Sequence, residues 1–337
     1  MNRLNYLLAG LVVVMASPWT ALALEPITPL EALHLVEAKA RRFSVENVDL
    51  VSNDEARVYK VTGDIEGKTA QAFVDADIAR VLRIEADGNL VYEWPGIIAV
   101  GHRATVKFAP ENTIAAIEKA IEQGVDLLEL DIRQSKDGVF VVIHDSSVKR
   151  TTGARGRVDQ MTLAELQALD AGSWFGDGFK GERIPTLKDA LAAMKGRATP
   201  DIDFKAGDPT ALVALLRGEG FDEPLTMYCG DWDLIHAVRK VDRRFLFRPT
   251  IPEYGETGLS ILIQEVDPPI VNINWPHVTR RMVQQVHLAG KLAFINTMGS
   301  SDNEAGIRLA VDTGADYIQS DQIDVLMRVL RELDLHD

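Results

Sequence analysis

Seven side chains suited to acid-base, metal-binding or anion-binding chemistry lie in or just after short apolar runs of the sequence. They are His102, Arg103, Glu129, Asp131, His144, Asp203 and Lys205. Glu129 and Asp131 are two residues apart, so on a β-strand both side chains point to one face. Asp203 and Lys205 repeat this spacing. If the runs are neighbouring parallel strands, their carboxyl ends meet at one edge, and the pattern predicts a single site with imidazoles, carboxylates and cations together.

Each motif taken alone also has a plain structural interpretation. A Glu-x-Asp strand is often a solvated face, a His-Asp pair is often a turn, and Asp-Phe-Lys can belong to an edge strand. The segment VDLLELDI, however, surrounds its carboxylates with large apolar residues, which indicates a buried strand. Buried carboxylates are costly unless a cation compensates them. The occurrence of all these motifs in order therefore favours a functional site.

Residues 96–337 alternate short apolar runs with helical patterns. The predicted strands are Ile97–Gly101, Leu127–Arg133, Val139–His144, Asp201–Lys205, Pro224–Tyr228, Arg244–Phe247, Ile270–Asn274, Lys291–Asn296 and Tyr317–Ser320. This alternation predicts a parallel α/β architecture, and a count of roughly eight units favours a closed (β/α)8 TIM barrel over an open sheet. Residues 146–185, rich in Gly and charge, are predicted to be an insertion after the strand ending at His144 that caps the site. No glycine-rich phosphate-binding motif follows a predicted strand, which weakens a nucleotide-binding alternative.

Residues 24–95 have a different pattern and are predicted to form a small α+β domain. Thr28 and Pro29 suit the N-cap and first residue of a helix. The predicted strands are Ala56–Thr62, Gln71–Asp75 and Ala79–Glu85. Tyr92–Pro95 is predicted to be a linker. A helix followed by a meander resembles the small PepSY-type module. Because no chemical residues cluster here, a structural or interaction role, with an unknown protein partner, is favoured over a catalytic one.

The amino terminus predicts export. Arg3 precedes the apolar run Leu7–Met15, and Ala21–Ala23 supplies the small residues that a signal peptidase accepts. Residues 1–23 are therefore predicted to be a cleavable signal peptide, and the protein is expected to be periplasmic or secreted. The apolar run is short for a bilayer span, which needs about 20 residues. An uncleaved membrane anchor is the alternative; otherwise no span is expected in the mature chain.

Charge and cysteine content narrow the classes of partner. The chain has a formal net charge of −14, and removal of residues 1–23 would delete one Arg and no acidic residue. This balance argues against nucleic acid or an anionic membrane as the main partner. An anionic substrate would need local positive charge from a metal, Arg, Lys or His. Cys229 is the only cysteine, so no internal disulfide can form.

The segment from Gly101 to Leu187 resembles the glycerophosphodiester phosphodiesterase family. That family carries His-Arg, Pro-Glu-Asn-Thr, Glu-x-Asp, Asp-Gly before His-Asp, Arg-Thr-Thr, Leu-Asp-Ala-Gly and Pro-Thr-Leu, and all of these stand here. DIDFK occupies the place of the family's acid-x-Lys, and weaker agreement runs to GADYIQSDQID. The chain departs from the family pattern at Ala104 (usually Gly), Asp203 (often Glu) and Phe294 (commonly Trp). The related sphingomyelinase D enzymes also use Asp as the third ligand, so Asp203 is compatible with metal binding.

The resemblance implies metal-dependent hydrolysis of glycerophosphodiesters to an alcohol and glycerol 3-phosphate. Glu129, Asp131 and Asp203 would bind one divalent cation, and such oxygen ligands suit Mg²⁺ or Ca²⁺. The absence of a cysteine cluster makes zinc a weaker choice. Arg103 and Lys205 would bind the substrate phosphate and offset charge that develops in the transition state.

The resemblance further implies that His102 and His144 act as a general acid and base, without indicating which residue has which role. In the family, a glycerol hydroxyl is thought to attack first, giving a cyclic phosphate that water then opens. Glu111 would either orient Arg103 or help to bind the metal. Asn112 is predicted to be the N-cap of the following helix.

Two other functions remain open at the level of the sequence. One is a lipid-directed phospholipase D or lyase on the same barrel, acting on lysophospholipids through an apolar channel. The other is a non-catalytic binding module whose amino-terminal domain recruits a partner. The intact histidine pair and acidic triad argue against a non-catalytic module, because such a protein is expected to have lost at least one of these residues.

Overall fold

The computed structural model describes residues 26–40, 43–52, 57–253 and 255–336. Contacts within the chain define two compact units: the first comprises the described residues up to Pro95 together with His287–Gly290, and the second comprises the other described residues from Gly96 onward. The predicted signal peptide, residues 1–23, lies outside the described residues. Within those residues, no helix has both the length and the apolar character needed to cross a membrane.

The described residues of the first unit form one helix and a five-stranded antiparallel sheet. Its elements are α1 (Pro29–Lys39), β1 (Phe43–Ser52), β2 (Arg57–Ile65), β3 (Lys68–Asp75), β4 (Arg80–Ala86) and β5 (Asn89–Glu93), with the strands in sequence order. Thr28 caps α1 as predicted, because its Oγ1 accepts a hydrogen bond from Glu31 N while the Glu31 carboxylate accepts one from Thr28 N. Val61, Ala72 and Ile84 of the sheet share one apolar core with α1.

Two strands of this sheet were not predicted from the sequence. The alternation in β1 is interrupted by a register shift between Val45 and Asn47, which obscures its period of two. In β5, Leu90 and Val91 are about half exposed and supply no buried face. Because β5 continues to Glu93, the linker predicted over Tyr92–Pro95 was wrong in its first half.

In the second unit, the described residues form nine strands interleaved with helices. From Gly96 onward the strands are β6 (Ile98–Gly101), β7 (Leu127–Gln134), β8 (Phe140–Val142), β9 (Thr199–Ala206), β10 (Thr226–Tyr228), β11 (Leu246–Phe247), β12 (Ile270–Ile273), β13 (Leu292–Asn296) and β14 (Tyr317–Ser320). The helices are α2 (Ile114–Gln123), α3 (Lys149–Thr152), α4 (Leu163–Gln167), α5 (Leu187–Met194), α6 (Pro209–Gly218), α7 (Trp232–Val241), α8 (Glu256–Glu265), α9 (Arg280–Leu288), α10 (Glu304–Thr313) and α11 (Ile323–Glu332). Short 3-10 turns span Val158–Gln160, Asp177–Phe179 and Gly299–Ser301.

Eight of these strands form a parallel sheet in the order β11-β10-β9-β7-β6-β14-β13-β12. A parallel bridge between Thr250 and Asn272 brings the segment after β11 next to β12, so the two ends of the order meet. The predicted (β/α)8 barrel is therefore confirmed. All residues of β7 from Leu127 to Ile132 are buried, as expected for a parallel strand covered on both faces.

One predicted barrel strand, Val139–His144, was wrong in its role. The observed β8 is shorter and pairs antiparallel with the end of β7, with Val142 opposite Ile132. Asp137 and Gly138 lie in the connecting turn, where Gly138 has a φ of 84°. Asp-Gly turns of this kind fold a chain back on itself, so β8 forms a hairpin with β7 instead of a barrel stave. His144 still emerges beside the carboxyl end of β7.

The predicted insertion is a packed substructure with its own apolar core. The core residues are Val141, Ile143, Val148, Val158, Leu166, Ala171 and Ile184. The segment includes the short helices α3 and α4, and a capping box formed by Thr162 and Glu165 begins α4. This packing gives side chains of the insertion, including those of α3, a defined position next to the hairpin of β7 and β8.

Candidate active site

Three carboxylates converge at the carboxyl ends of β7 and β9. The two strands are paired in parallel, and the register places Asp131 directly opposite Asp203. Glu129 precedes Asp131 by two residues on the same face of β7. One oxygen from each of these three residues lies within 4.8 Å of the others, and all three side chains are buried. The structure thus brings together the predicted metal-binding set.

The electrostatics of this cluster point to a bound cation. Burial, followed by repulsion from the other two carboxylates, raises the pKa of Glu129 well above its usual value. Burial and then Asp131 raise the pKa of Asp203 to about 6. Among the described residues, neither Asp131 Oδ1 nor Asp203 Oδ1 accepts a hydrogen bond. Crowded, buried and incompletely paired carboxylate oxygens are the donor set expected for one hard divalent cation, so these residues fit the predicted metal.

Lys205 and Arg103 lie beside the carboxylates. Lys205 Nζ is 2.5 Å from Asp203 Oδ2 and 3.2 Å from Asp131 Oδ1. The backbone N–H of Arg103 donates to Glu129 Oε2 at 2.7 Å, and its guanidinium donates to Glu111 at 2.8 Å. Of the two roles predicted for Glu111, the structure favours orientation of Arg103, because the carboxylate cluster around Glu129 does not include Glu111.

Asn112 contacts the metal-binding set instead of capping a helix. Its Nδ2 donates to Asp131 Oδ2 at 2.7 Å, and its Oδ1 accepts from Asp131 N at 3.2 Å. The cap of α2 is Thr113, whose side chain accepts a hydrogen bond from Ala116 N, so the predicted N-cap was wrong by one residue. Asn112 has a φ of 57°, a conformation that Asn tolerates better than most residues. It holds Asp131 in place at both side chain and backbone.

His102 follows β6 and is oriented by an acid that the sequence analysis did not single out. His102 Nδ1 donates to Asp321 Oδ1 at 2.6 Å. Asp321 follows β14, which neighbours β6 in the sheet, and its backbone N–H donates to Asp302 at 2.6 Å. The available signal was an apolar strand ending in Ser-Asp within GADYIQSDQID.

His144 has an equivalent arrangement just before the insertion. His144 Nδ1 donates to Asp145 Oδ1 at 2.7 Å, and Asp145 Oδ2 accepts from Arg150 Nε at 2.7 Å. The hydrogen bond from Arg150 lowers the pKa of Asp145 to about 2, so this carboxylate stays charged at neutral pH. In both histidines a carboxylate holds Nδ1, which leaves Nε2 as the nitrogen available for proton transfer.

One cavity of about 430 Å³ contains six of the seven predicted residues. The lining residues are His102, Arg103, Glu129, His144, Asp203, Lys205, Tyr228, Arg248, Thr250, Asn274, Trp275, Asn296, Met298 and Gln319. Asp131 lies behind this surface, in contact with Lys205. All seven predicted residues therefore belong to one site.

Arg248 is a further charged residue of the cavity that sequence reasoning missed. It is almost fully buried and donates to both oxygens of Asp201, at 3.0 and 2.5 Å. Its guanidinium lies 4.1 Å from the ring centroid of Phe294, the residue that replaces the family's common Trp. Phe294 in turn stacks on Tyr317. An aromatic ring at this position therefore supports a buried cation next to the carboxylates.

The turn after β6 depends on a small residue at Gly101. Ala104 has a φ of 62°, so the chain turns sharply there, and a Cβ at Gly101 would lie 2.3 Å from the Ala104 carbonyl oxygen. Glycine adopts this left-handed conformation without strain, which fits the glycine that the family pattern implies at position 104.

Gly101→Ala is therefore expected to lower the free energy of unfolding by about 1–3 kcal/mol, because backbone must move to admit the methyl group. Urea denaturation measures the change. Gly218→Ala is the control, because a Cβ at Gly218 would meet nothing within 4 Å. Equal stability of the two variants would show that the turn accommodates a Cβ.

Comparison with known proteins agrees with this geometry. Residues 102–214 match the glycerophosphoryl diester phosphodiesterase family. The Bacillus subtilis protein YhdW, a candidate glycerophosphodiester phosphodiesterase, is 31% identical over 247 residues, covering 68% of this chain and 96% of its own length. A glycerophosphodiester phosphodiesterase of Caldanaerobacter subterraneus is 53% identical over 111 residues, which cover 33% of this chain and 46% of that protein.

A solved structure shows the same similarity in three dimensions. The glycerophosphodiester phosphodiesterase of Agrobacterium tumefaciens superposes with a TM-score of 0.63 at 33% identity. The match covers 69% of this chain and the whole of the other. Motif order, barrel topology and similarity over a relative's nearly full length agree, and this chain belongs to the glycerophosphodiester phosphodiesterase family.

Proposed function

We propose that this protein is a metal-dependent phosphodiesterase that hydrolyses glycerophosphodiesters to an alcohol and glycerol 3-phosphate. One observation carries the proposal: a buried cluster of Glu129, Asp131 and Asp203 lies in the same site as His102 and His144, each of which is held by a carboxylate. These groups together provide what phosphodiester cleavage requires, namely charge neutralisation, an acid and a base.

The metal would be a single Mg²⁺ or Ca²⁺ ion bound by Glu129, Asp131 and Asp203. Carboxylate oxygens are the ligands that these hard cations prefer, and both ions retain positions for water or phosphate oxygens. When bound, the cation supplies Lewis-acid polarisation of the phosphodiester. Asn112 supports this role from outside the cluster, because its two hydrogen bonds to Asp131 fix the carboxylate and the local backbone.

The cationic side chains of the chain would hold the substrate phosphate. Lys205 and Arg103 both line the cavity next to the carboxylates, so a phosphate placed there meets positive charge in spite of the acidic surface of the protein. Glu111 holds the Arg103 guanidinium in place. Fixed donors of this kind stabilise charge that develops in the transition state without having to reorganise.

His102 and His144 would transfer protons to and from the substrate in two successive steps. In the first step, the hydroxyl of the substrate glycerol next to the ester attacks phosphorus, one Nε2 takes its proton, and the other Nε2 protonates the departing alcohol. In the second step, water opens the cyclic phosphate with the two roles reversed. Asp321 and Asp145 keep each Nδ1 protonated, which fixes the tautomer that leaves Nε2 free to act.

The cavity lining favours a small polar substrate over a lysophospholipid. Beyond the histidines and charged residues, five of the seven lining residues carry an amide or hydroxyl group, and two, Trp275 and Met298, are largely apolar. The five are Tyr228, Thr250, Asn274, Asn296 and Gln319. An acyl chain would need an apolar channel to leave water, whereas the hydroxyl groups of a glycerophosphodiester can form hydrogen bonds with these side chains.

An assay of the purified protein tests the proposal. Glycerophosphocholine, glycerophosphoethanolamine and lysophosphatidylcholine are each incubated with Mg²⁺, with Ca²⁺ and with neither ion. Release of glycerol 3-phosphate from the first two substrates, dependent on the ion, is the expected result. Preferential turnover of lysophosphatidylcholine would instead identify the lipid-directed enzyme, and no turnover of any diester would favour the non-catalytic module.

We also propose that the protein is exported to the periplasm or secreted after removal of residues 1–23. The support is the sequence pattern of a short apolar run followed by an A-x-A site. Cell fractionation and mass spectrometry of the full-length protein expressed in a bacterium should find a mature chain that begins at Leu24. An uncleaved chain in the membrane fraction would identify an anchor.

A chain that begins at Gly96 is expected to fold and to hydrolyse glycerophosphocholine. Every residue of the proposed site lies after this point, and the start leaves β5 of the first unit out entirely. The experiment compares melting behaviour, kcat and KM with those of the mature chain. A well-folded but inactive fragment would show that residues 24–95 help to build the site.

A further inference from the structure

Arg150, on the short helix α3 of the insertion, hydrogen-bonds to two carboxylates that lie next to the proposed site, Asp145 and Glu111. Its Nε donates to Asp145 Oδ2 at 2.7 Å, and its terminal nitrogens donate to Glu111 Oε2 and Oε1, each at 2.7 Å. A longer contact of 3.3 Å joins the same guanidinium to Asp145 Oδ1. The residue is not part of the cavity lining, so it is not positioned to contact substrate directly.

Each of the two carboxylates holds a different residue of the site. Asp145 accepts a hydrogen bond from His144 Nδ1, and Glu111 accepts one from the guanidinium of Arg103. Arg150 therefore completes a continuous chain of charged hydrogen bonds from a proton-transfer residue to a phosphate-binding residue. The chain crosses from the insertion to the loop between β6 and α2, two segments that are far apart in sequence.

The charges along this chain are complementary, and one end is buried. The Glu111 side chain is only 6% exposed, whereas that of Arg150 is 41% exposed. Although burial acts to raise the pKa of Glu111, the hydrogen bond from Arg150 and the charge of Arg103 outweigh it and lower that pKa. Without Arg150, Glu111 would be a buried carboxylate facing one cation instead of two, and Asp145 would lose the arginine that hydrogen-bonds to both of its oxygens.

The geometry requires an arginine. A guanidinium presents several N–H donors in a rigid plane, so it can grip both oxygens of one carboxylate while Nε reaches a second carboxylate. A lysine ammonium has comparable charge but no such fork, and it could satisfy only one carboxylate well. The two-carboxylate arrangement of Arg150 uses nearly the full donor set that distinguishes arginine from lysine.

We infer that Arg150 is a positioning residue that fixes Asp145 and Glu111 at once and thereby sets the orientation of both His144 and Arg103 for catalysis. The inference rests on the proposed hydrolysis. It assigns a part in the chemistry to the insertion, which the sequence predicted only to cover the site. Since one residue supports two functions, its loss should affect proton transfer, seen in kcat, and phosphate binding, seen in KM.

The test compares Arg150→Ala and Arg150→Lys with the wild-type protein, using glycerophosphocholine and saturating metal. Both variants are expected to lose about 10–100-fold in kcat, the usual cost of removing a residue that orients a site group, and to show a raised KM. Arg157→Ala is the matched control. Arg157 lies in the same insertion, but its side chain hydrogen-bonds to the exposed Asp159 and does not line the cavity, so the kcat and KM of this variant should not change.

Added guanidinium separates positioning from a merely structural role. At concentrations too low to denature the protein, it should restore part of the kcat of Arg150→Ala, because it can occupy the space between Asp145 and Glu111. It should not raise the kcat of Arg150→Lys, because the lysine side chain occupies that space. It should also leave the kcat of Arg157→Ala unchanged. Melting temperatures of all variants are measured in parallel, so that loss of folded protein is not counted as loss of kcat.

Three outcomes would overturn the inference while leaving the proposed hydrolysis intact. They are wild-type kcat and KM in Arg150→Ala, full activity in Arg150→Lys, and a loss of activity that follows the melting temperature and does not respond to guanidinium. An inactive wild-type protein would instead refute the proposed function. If Arg150→Ala does not fold, the kcat and KM of Arg150→Lys relative to the wild type test the inference. Lysine keeps the positive charge and removes only the planar set of N–H donors.

Discussion

Replacing His102 or His144 by alanine is expected to lower kcat for glycerophosphocholine by about 10²–10⁴-fold, the usual contribution of a positioned acid or base. Each imidazole lines the cavity and has its Nδ1 held by a carboxylate, so its removal deletes the nitrogen available for proton transfer. Folding should change little, since both side chains lie at the site opening and are 16% and 33% exposed. Steady-state kinetics and thermal melting measure the two effects separately.

His236→Ala is the matched control for these substitutions. His236 lies exposed on α7 and does not line the cavity, so the variant should keep wild-type kcat and melting temperature. A near wild-type kcat in either His102→Ala or His144→Ala would assign that histidine to a structural role. The remaining histidine would then need a different partner for the second proton transfer.

Removal of the divalent cation is expected to abolish turnover. Glu129, Asp131 and Asp203 are buried together, and among the described residues Asp131 Oδ1 and Asp203 Oδ1 accept no hydrogen bond although Lys205 lies beside both carboxylates. Dialysis against EDTA followed by titration with Mg²⁺ or Ca²⁺ should first eliminate and then restore activity. Full turnover in excess EDTA after extensive dialysis would contradict the metal requirement.

Thermal stability gives a reading of metal binding that does not depend on catalysis. A ligand present at 100 times its Kd stabilises the folded state by about 2.7 kcal/mol, so Mg²⁺ or Ca²⁺ should raise the melting temperature of the wild type. Asp203→Asn should weaken or remove this increase, because it takes one charge from the cluster. Asp159→Asn is the control, since Asp159 is exposed, lies outside the carboxylate cluster and accepts its side-chain hydrogen bonds from Arg157. An equal increase in both variants would place the cation elsewhere.

The sequence by itself identified the barrel and the seven residues that the structure brings into one site. For every one of these residues except His144 it could do so because parallel strands carry local signals, namely short apolar runs followed by polar residues, and because a barrel brings every strand end to the same face. His144 follows the antiparallel strand β8 and reaches the site through the hairpin with β7. Glu129 and Asp131 show this most clearly. Their spacing within an apolar run fixed both their common face and their burial, without any knowledge of distant contacts.

The tertiary structure alone decided which distant residues complete the site. Asp321 orients His102 across 219 positions of sequence, Arg248 pairs with Asp201 across 47, and Arg150 joins Glu111 across 39. An Asp after a strand or an Arg on a short helix has no local pattern that distinguishes it from a solvated residue.

The antiparallel course of β8 was decided in the same way. Val139–His144 has the composition of a barrel strand, but pairing with the end of β7 determines its direction. Local sequence specifies the secondary-structure propensity of a segment and the face on which its side chains lie. The partner of a strand or of a charge depends on which segments the closed barrel brings within hydrogen-bond distance, and that information is present only in the folded chain.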